Sequence, residues 1–460
     1  MKTFDAIIIG AGQAGPSLAG KLSNAGMTVA FIERNLFGGT CVNTGCMPTK
    51  ALVASAYAAH LARRAADFGI VLGGAVQIDM RKVKSRVDAI VMNARKGVEQ
   101  HLRELRGCTV FSGHARFEGP DLVRVGDELL TAPRIFINVG GRAVVPELPG
   151  VREVPFLTNT SMLALDYVPE HLIVVGGSYV GLEFAQMYRR FGAQVTIVEK
   201  MPRLIPREDE DVSEEIRQIL MREGITVRTS AECINLARHE KGLAVGVNCA
   251  EGEPASIGSD VLLAVGRRPN TDDLGLEKAG VKTDTRGYIV VDDSLATTVP
   301  GIWALGDCNG RGAFTHTAYN DFEIVAANLL DDAQRRLSDR ILGYALYVDP
   351  PLGRVGMTER DARASGRPLL IGQRPMSRVN RAVEKAETAG LMKIIVDAQT
   401  CRILGAAILG TGGDEAIHGI LDIMNAAVPY TVLEHAVPIH PTVSELIPTM
   451  LGELRKVSSL

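Results

Sequence analysis

One arrangement occurs twice in this chain and constrains its fold more than anything else in it. The apolar run Phe4 to Ile9 leads into Gly10-Ala11-Gly12-Gln13-Ala14-Gly15; a helical stretch follows, and Thr28-Val29-Ala30-Phe31-Ile32 ends at Glu33. The succession returns as His171-Leu172-Ile173-Val174-Val175, Gly176-Gly177-Ser178-Tyr179-Val180-Gly181, and Val195-Thr196-Ile197-Val198 ending at Glu199. In each copy the acid stands 23 positions after the first glycine, near the ~20 of a dinucleotide fingerprint. The glycines permit a tight turn and close approach to a pyrophosphate, the helix N-terminus faces the phosphates, and the acid reaches ribose hydroxyls. A bare G-x-G-x-x-G is a weak signal that ordinary turns also produce; strand, glycines, helix, strand and acid in register are specific. Two copies predict two parallel α/β sheets and two dinucleotides. The second copy has Ser178 where the first has Gly12, a small residue that still permits phosphate approach. Glu199 favours NADH, since a carboxylate bonds a free 2′-hydroxyl and repels a 2′-phosphate. Lys200 and Arg203 nearby leave NADPH open.

Between the copies lies Gly38-Gly39-Thr40-Cys41-Val42-Asn43-Thr44-Gly45-Cys46-Met47-Pro48-Thr49-Lys50. Five positions along a straight helix span ~7.5 Å at ~1.5 Å per residue, beyond the ~4.4–6.8 Å between Cα atoms that a disulfide tolerates. If the two cysteines bond, Cys41 sits on irregular backbone, with Gly39 and Gly45 supplying the freedom. Pro48 suits a first helical turn, which puts Cys46 at a helix N-terminus, where the dipole favours a thiolate. A redox-active disulfide and two unrelated buried thiols both fit the bare C-x4-C. A zinc half-site fits less well, for no second Cys/His pair at ligand spacing follows.

At 460 residues and 46% hydrophobic composition the chain can bury about three domain cores. A net charge of −3 offers no argument for nucleic acid or an anionic membrane. No apolar run reaches the ~18 residues of a membrane span, and the N-terminal apolar run is too short for a signal core. Seven cysteines over this length do not make a secreted disulfide scaffold. The cytoplasm is the expected compartment.

The cysteine segment resembles the active-site signature of the class I flavoprotein disulfide reductases, the family of dihydrolipoamide dehydrogenase, glutathione reductase and mercuric reductase. The likeness extends over essentially the whole chain. Arg134 to Val139 with Gly140-Gly141 is similar to the segment where the family's chain leaves its flavin domain. Val261 to Asn270, with Gly266 inside it, is similar to the return crossing. Thr298-Val299-Pro300-Gly301-Ile302-Trp303-Ala304-Leu305-Gly306-Asp307 matches the second flavin motif, and His440-Pro441-Thr442-Val443-Ser444-Glu445 the C-terminal signature. The resemblance implies an α/β fold with two Rossmann-like domains, one for FAD and one for NAD, and a C-terminal α+β dimerisation domain. The expected boundaries are 1–148 with 272–340, 149–271, and 341–460.

By resemblance, Cys41 and Cys46 form the redox disulfide, with Cys46 the thiolate against the flavin and Cys41 the exposed interchange thiol. His440 is the acid/base that Glu445 orients, reaching the disulfide of a second subunit, so a homodimer is implied. FAD contacts are implied for Gly10, Gly12, Gly15, Glu33, Thr40, Lys50, Ala115, Asp307 and Thr315, and nicotinamide-nucleotide contacts for Gly176, Gly177, Ser178, Tyr179, Gly181, Glu199 and Gly266. Tyr179 matches the aromatic gate over the flavin, and Glu183 the ion-pair partner of Lys50. Gly113-His114-Ala115 matches the adenine contact, with His114 itself read as a surface histidine. No resident metal is expected.

The electron acceptor divides the family. Mercuric reductases often carry a heavy-metal domain in front and a late cysteine pair. Here the chain begins at the flavin strand, the last cysteine is Cys401, and the tail reads Lys456-Val457-Ser458-Ser459-Leu460, so efficient mercury reduction is not expected. Dihydrolipoamide dehydrogenase fits His440, Glu445 and Glu199 but usually has Pro-Ser-Lys where Pro48-Thr49-Lys50 stands. Thr44, Met47, Thr49 and the run Tyr347 to Glu359 look more like the mercuric-reductase-like group near the reactive-chlorine-resistance flavoprotein. The expectation is an NADH-preferring reductase of a small disulfide or an oxidising metal ion. A redox-sensing flavin-binding protein is the non-enzymatic alternative.

Overall fold

Ala6–Ile9 is apolar at every position and buried at every position, as expected of a parallel strand covered on both faces. It is the middle of a five-stranded parallel sheet in the order Ile302–Ala304, Ile135–Ile137, Ala6–Ile9, Val29–Glu33, Cys108–Ser112. Alternation divides its residues between two cores. Ala6, Ile8 and Phe31 face the helices Ala14–Asn24 and Thr315–Leu330, while Ile7, Ile9 and Ile32 face a small sheet containing Phe117, Val123 and Leu130. The strand that closes this sheet arrives some three hundred residues after the one that starts it, so the chain leaves and returns. This computed structural model describes residues 1–248 and 253–457; the tail Ser458-Ser459-Leu460 lies outside the described residues.

The second copy builds the same device. Thr226–Arg228, Gln194–Val198, His171–Val175 and Asp260–Leu263 form a four-stranded parallel sheet. Helices Tyr179–Phe191 and Glu210–Arg222 cover one face, and an antiparallel sheet of Glu232–His239, Gly242–Asn248 and Ala255–Gly258 covers the other. The two crossings of the chain pair with each other, Gly141–Ala143 antiparallel to Arg267–Pro269. From Gly343 onward six strands form an antiparallel sheet, with Leu391–Asp397 buried along its whole length. Helices Gly413–Asn425 and Leu446–Gly452 cover it. Among the described residues no helix is long and apolar enough to cross a membrane.

The second parallel-sheet unit and the C-terminal unit are tied by a buried cation. Arg190, on the helix Tyr179–Phe191, meets Glu223 at 2.7 Å and Asp349 at 2.6 Å. Burial opposes its charge and the two carboxylates more than restore it, so the guanidinium is held above its ordinary range. Removing the cation leaves two partly buried acids without their partner. Arg190→Ala is expected to lower unfolding free energy by about 3–5 kcal/mol, read from the denaturant midpoint of the holoprotein.

Candidate functional site

A cavity of about 780 Å³ runs from Glu33, His114 and Ala115 at one end, past Gly10, Gly12, Thr40 and Asp307, to Cys46, Lys50, Thr315 and Tyr179 at the other. Its floor is backbone packed too closely for side chains. Gly10 has φ +106°, and a Cβ there would lie 2.3 Å from the Asn138 carbonyl oxygen; one at Gly15 would lie 2.3 Å from the Gly10 oxygen. Gly15 therefore packs helix against strand beneath the cavity and does not line it. Glu33 accepts hydrogen bonds from the N–H groups of Ala11 and Asn35, each at 2.7 Å, which holds the glycine loop to the end of the second strand.

The cysteine segment lies on that loop, where Gly39, at φ +60°, would bring a Cβ within 2.8 Å of Gly12 Cα. Cys41 is not on irregular backbone. It belongs to a short helix, Gly39–Asn43, and the break comes at Thr44 and Gly45, before the helix Cys46–Arg63 begins. The change of direction between two helices, rather than an unwound stretch, brings the thiols together. The side chain of Asn43 donates to the Gly39 and Phe37 carbonyls, both at 2.9 Å, and Asn159 donates to the Thr44 carbonyl at 2.8 Å.

Both cysteines are free thiols. Cys46, at its helix N-terminus, has its Sγ 3.1 Å from Thr315 Oγ1. Hydrogen bonding from Cys41, with help from Thr315 and the Lys50 charge, brings the Cys46 thiol down to about 6 against the cost of burial. The same bond, together with burial, drives the Cys41 thiol upward. Cys41 is half-buried, and Cys46, on the first turn of its helix, faces the cavity. Lys50 Nζ meets both carboxylate oxygens of Glu183, at 2.9 and 3.0 Å, and lies 4.5 Å from the centre of the Tyr347 ring. Asp307 is half-buried; desolvation raises its carboxyl, with Arg267 at 3.7 Å opposing.

The second fingerprint repeats the first bond for bond. Gly176 has φ +116°, a Cβ at Gly181 would lie 2.1 Å from the Gly176 oxygen, and Glu199 accepts from Gly177 N–H at 2.6 Å and Met201 N–H at 2.7 Å. Ser178 takes the N-cap position of the helix Tyr179–Phe191. Arg203 turns back on its own loop, to the Pro206 carbonyl. Gly176, Gly177, Ser178, Gly181, Glu199 and Gly266 stand apart from the cavity; Tyr179 and Glu183, on the first turns of the helix Tyr179–Phe191, reach into its wall. His440 and Glu445 are also apart from it. They form a pair, Nδ1 to Oε2 at 2.8 Å, on the outer surface with the histidine side chain 69% exposed.

His114 is not a plain surface residue: it lines the cavity and bonds the Asp273 carbonyl at 2.9 Å and Arg34 at 3.4 Å. Sequence reasoning missed Asn138, Asn159, Phe314 and Tyr347. Asn138 ends a strand beside Gly140-Gly141 and Tyr347 opens a segment already noted, so their positions were in view; their contacts were not.

The chain matches the family model described as "Pyridine nucleotide-disulphide oxidoreductase" over residues 4–321 and that family's dimerisation domain over residues 343–451. It belongs to this family. The probable pyridine nucleotide-disulfide oxidoreductase RclA of Escherichia coli strain K12 is 37% identical over 97% of this chain and 98% of its own length. Dihydrolipoyl dehydrogenase of Thermus scotoductus is 33% identical over 97% and 96%, and mercuric reductase of Streptomyces lividans 34% over 90% and 88%. A solved "Cu(II) complex of HOCl-induced flavoprotein disulfide reductase RclA from Escherichia coli" matches with a TM-score of 0.89, 35% identity, and coverage of 98% of this chain and 100% of that one. The chain is accordingly an NAD(P)H-dependent flavoprotein disulfide reductase, and FAD and NAD(P)H are its family's cofactors. The cavity fits that assignment, with a floor of close-packed glycine backbone at Gly10, Gly12 and Gly39 and the Asp307 carboxyl on its wall.

The thiol geometry makes a pH prediction. In the reduced protein the pair's first thiolate should form as pH rises through about 6, seen by ultraviolet thiolate absorbance, and be lost below it. Thr315→Ala removes a donor to that thiolate and should move the midpoint upward, by roughly tenfold in acidity at most. An unmoved midpoint would mean Thr315 does not stabilise the charge.

Proposed function

We propose that this reductase carries electrons from NADH to a small disulfide, or to an oxidising metal ion, through Cys41 and Cys46. The observation that carries the reading is the Cys41–Cys46 pair beside Thr315, Lys50 and Glu183, in a cavity bounded on one side by the first fingerprint and on the other by Tyr179 of the second. Gly10, Gly12, Glu33, Thr40, Lys50, Ala115, Asp307 and Thr315 would hold FAD, with Gly15 packing the helix against the strand beneath them; Gly176, Gly177, Ser178, Tyr179, Gly181, Glu183, Glu199 and Gly266 would hold the nicotinamide nucleotide. FAD supplies, when bound, acceptance of a hydride from the nicotinamide and transfer of two electrons to the Cys41–Cys46 disulfide. The same reading divides the chain into 1–148 with 272–340, 149–271, and 341–460.

The residues then act as follows. His440 of a second subunit takes the proton of the Cys41 thiol as Cys41 Sγ attacks one sulfur of the substrate disulfide, forming a mixed disulfide and expelling a thiolate. His440 of a second subunit protonates that thiolate, and Glu445 keeps the imidazole oriented. The Cys46 thiolate attacks Cys41 Sγ, releasing the second product thiolate and closing the Cys41–Cys46 disulfide. With a one-electron metal ion, two ions are reduced for each dithiol oxidised. The exposed His440 and the family dimerisation domain support the homodimer this requires. The Cu(II) complex of the Escherichia coli relative supports trying copper as acceptor. Glu199, buried against two backbone N–H groups with no lysine or arginine partner among the described residues, supports NADH over NADPH.

Anaerobic titration of the holoprotein with NADH should develop a long-wavelength thiolate–flavin band that Cys46→Ser abolishes; reduction without the band in the parent protein would overturn the reading. His440→Ala should slow disulfide reduction about 10²–10⁴-fold while sparing dye reduction by NADH. Rates with lipoamide, glutathione disulfide, Hg(II) and Cu(II) identify the acceptor.

A further inference from the structure

Tyr179 closes one end of the cavity, and its hydroxyl donates to Glu208 Oε1 at 3.2 Å. The same oxygen accepts a second hydroxyl, that of Tyr344 from the C-terminal sheet, at 2.6 Å. Hydroxyl–carboxylate bonds usually run about 2.5–2.7 Å. One donor is therefore at its optimum and the other is stretched. The second oxygen of Glu208 has no hydrogen-bond partner among the described residues and faces Arg354 Nε at 3.8 Å. Arg354, 1% exposed, spends both terminal nitrogens on Asp209 at 3.0 Å. A carboxylate this deep costs several kcal/mol to keep charged; the buried Arg354 guanidinium offsets part of that cost at one oxygen, and the two tyrosine hydroxyls share the other.

The loop that carries Glu208 is held hard against the second fingerprint. Ile205, buried and β-branched, sits at φ +45°, a region such residues avoid. Its N–H donates to the Gly177 carbonyl at 2.9 Å, Glu208 N–H donates to the Ile205 carbonyl at 2.9 Å, and Ser213 Oγ donates to the Leu204 carbonyl. The carboxylate thus stays still relative to the helix that Tyr179 begins. The Tyr179 ring is less constrained. It stands edge-on to Tyr344 at 5.6 Å and to Phe314 at 6.3 Å, while Phe314 is stacked between Tyr344 and His316. Tyr179 can swing away without breaking that stack.

We infer that Glu208 is a latch on Tyr179: it holds the ring in the cavity wall through the weaker of two competing hydrogen bonds, and Tyr344 sets how weak that bond is. The inference rests on the reading that reduced nicotinamide reaches the cavity past Tyr179. When Tyr179 swings out, Glu208 keeps Tyr344 and is never left without a donor, so opening costs one stretched hydrogen bond besides the two edge-on ring contacts. The observed affinity for NADH is its intrinsic affinity reduced by the fraction of molecules that are open. Glu208 and Tyr344 are positioning residues, acting only through Tyr179.

The test is anaerobic stopped-flow reduction of the full-length holoprotein by NADH, resolved into apparent Kd and limiting rate. Glu208→Gln keeps the shape but weakens the acceptor, and apparent Kd should fall about threefold. Tyr344→Phe leaves Oε1 wholly to Tyr179, tightens the latch, and should raise apparent Kd by about the same factor. Both effects should vanish in a Tyr179→Phe background, and reoxidation of the reduced enzyme by disulfide should be unchanged in the Glu208 and Tyr344 variants. Losses in the same direction, or effects that persist without the Tyr179 hydroxyl, mean a structural ion network and overturn the latch. Should Glu208→Gln fail to fold, Tyr344→Phe and its double variant decide alone. Normal reduction by NADH with unshifted Kd overturns the latch only; a parent protein that NADH does not reduce overturns the nucleotide reading and the latch with it.

Discussion

The carboxylate of Glu183 is where three parts of the chain are obliged to meet. It is buried and accepts two bonds from Lys50, on the helix that begins at Cys46, and one from the backbone N–H of Tyr347, in the C-terminal unit, at 3.0 Å. Glu183 itself belongs to the helix that follows the second glycine loop. A carboxylate in that position without its partners would cost several kcal/mol, so the two nucleotide units and the C-terminal unit are brought to one mutual placement. The consequence for chemistry is direct. The Lys50 ammonium stays close enough to Cys46 to lower its pKa, and the Tyr347 ring accepts part of the same charge.

The acids that end the two fingerprints have a second duty in the same spirit. Spacing assigns them to ribose, but in the folded chain each first satisfies two N–H groups of its own loop, Ala11 and Asn35 for Glu33, Gly177 and Met201 for Glu199. Glycine loops of this kind leave donors unpaired, and a buried donor without an acceptor is costly. The acid thus preorganises the phosphate cradle whether or not a nucleotide is present. The two copies share this down to the atom, although Ser178 replaces a glycine in one of them.

Most of the architecture was legible before any coordinates. Continuous apolar strands, glycine loops and a 23-residue spacing are local patterns, and two parallel sheets follow from them; the C-terminal α+β unit was expected by resemblance, and only the structure shows its sheet to be antiparallel. The redox segment was legible as a unit but not in its shape. Cys41 lies on a helix because Gly38 and Gly39, at φ +92° and +60°, turn the chain into one before the Thr44–Gly45 break. His114 read as a surface residue because nothing near it in sequence hints at Asp273, 159 positions away. Asn159, which steadies the peptide between the cysteines, and Glu208, which holds Tyr179, were invisible for the same reason.

What the sequence by itself determined is what short range can encode: which segments are strands and helices, where backbone must approach phosphate, and that a thiol stands at a helix start. Only the tertiary structure decided which groups share an electric field. Cys46 is acidified by Cys41, by Thr315 from a helix 269 residues further on, and by Lys50 pinned to Glu183 across 133. Coulombic and hydrogen-bond energies depend on distance in space and on exclusion of water, and neither quantity is written along the chain.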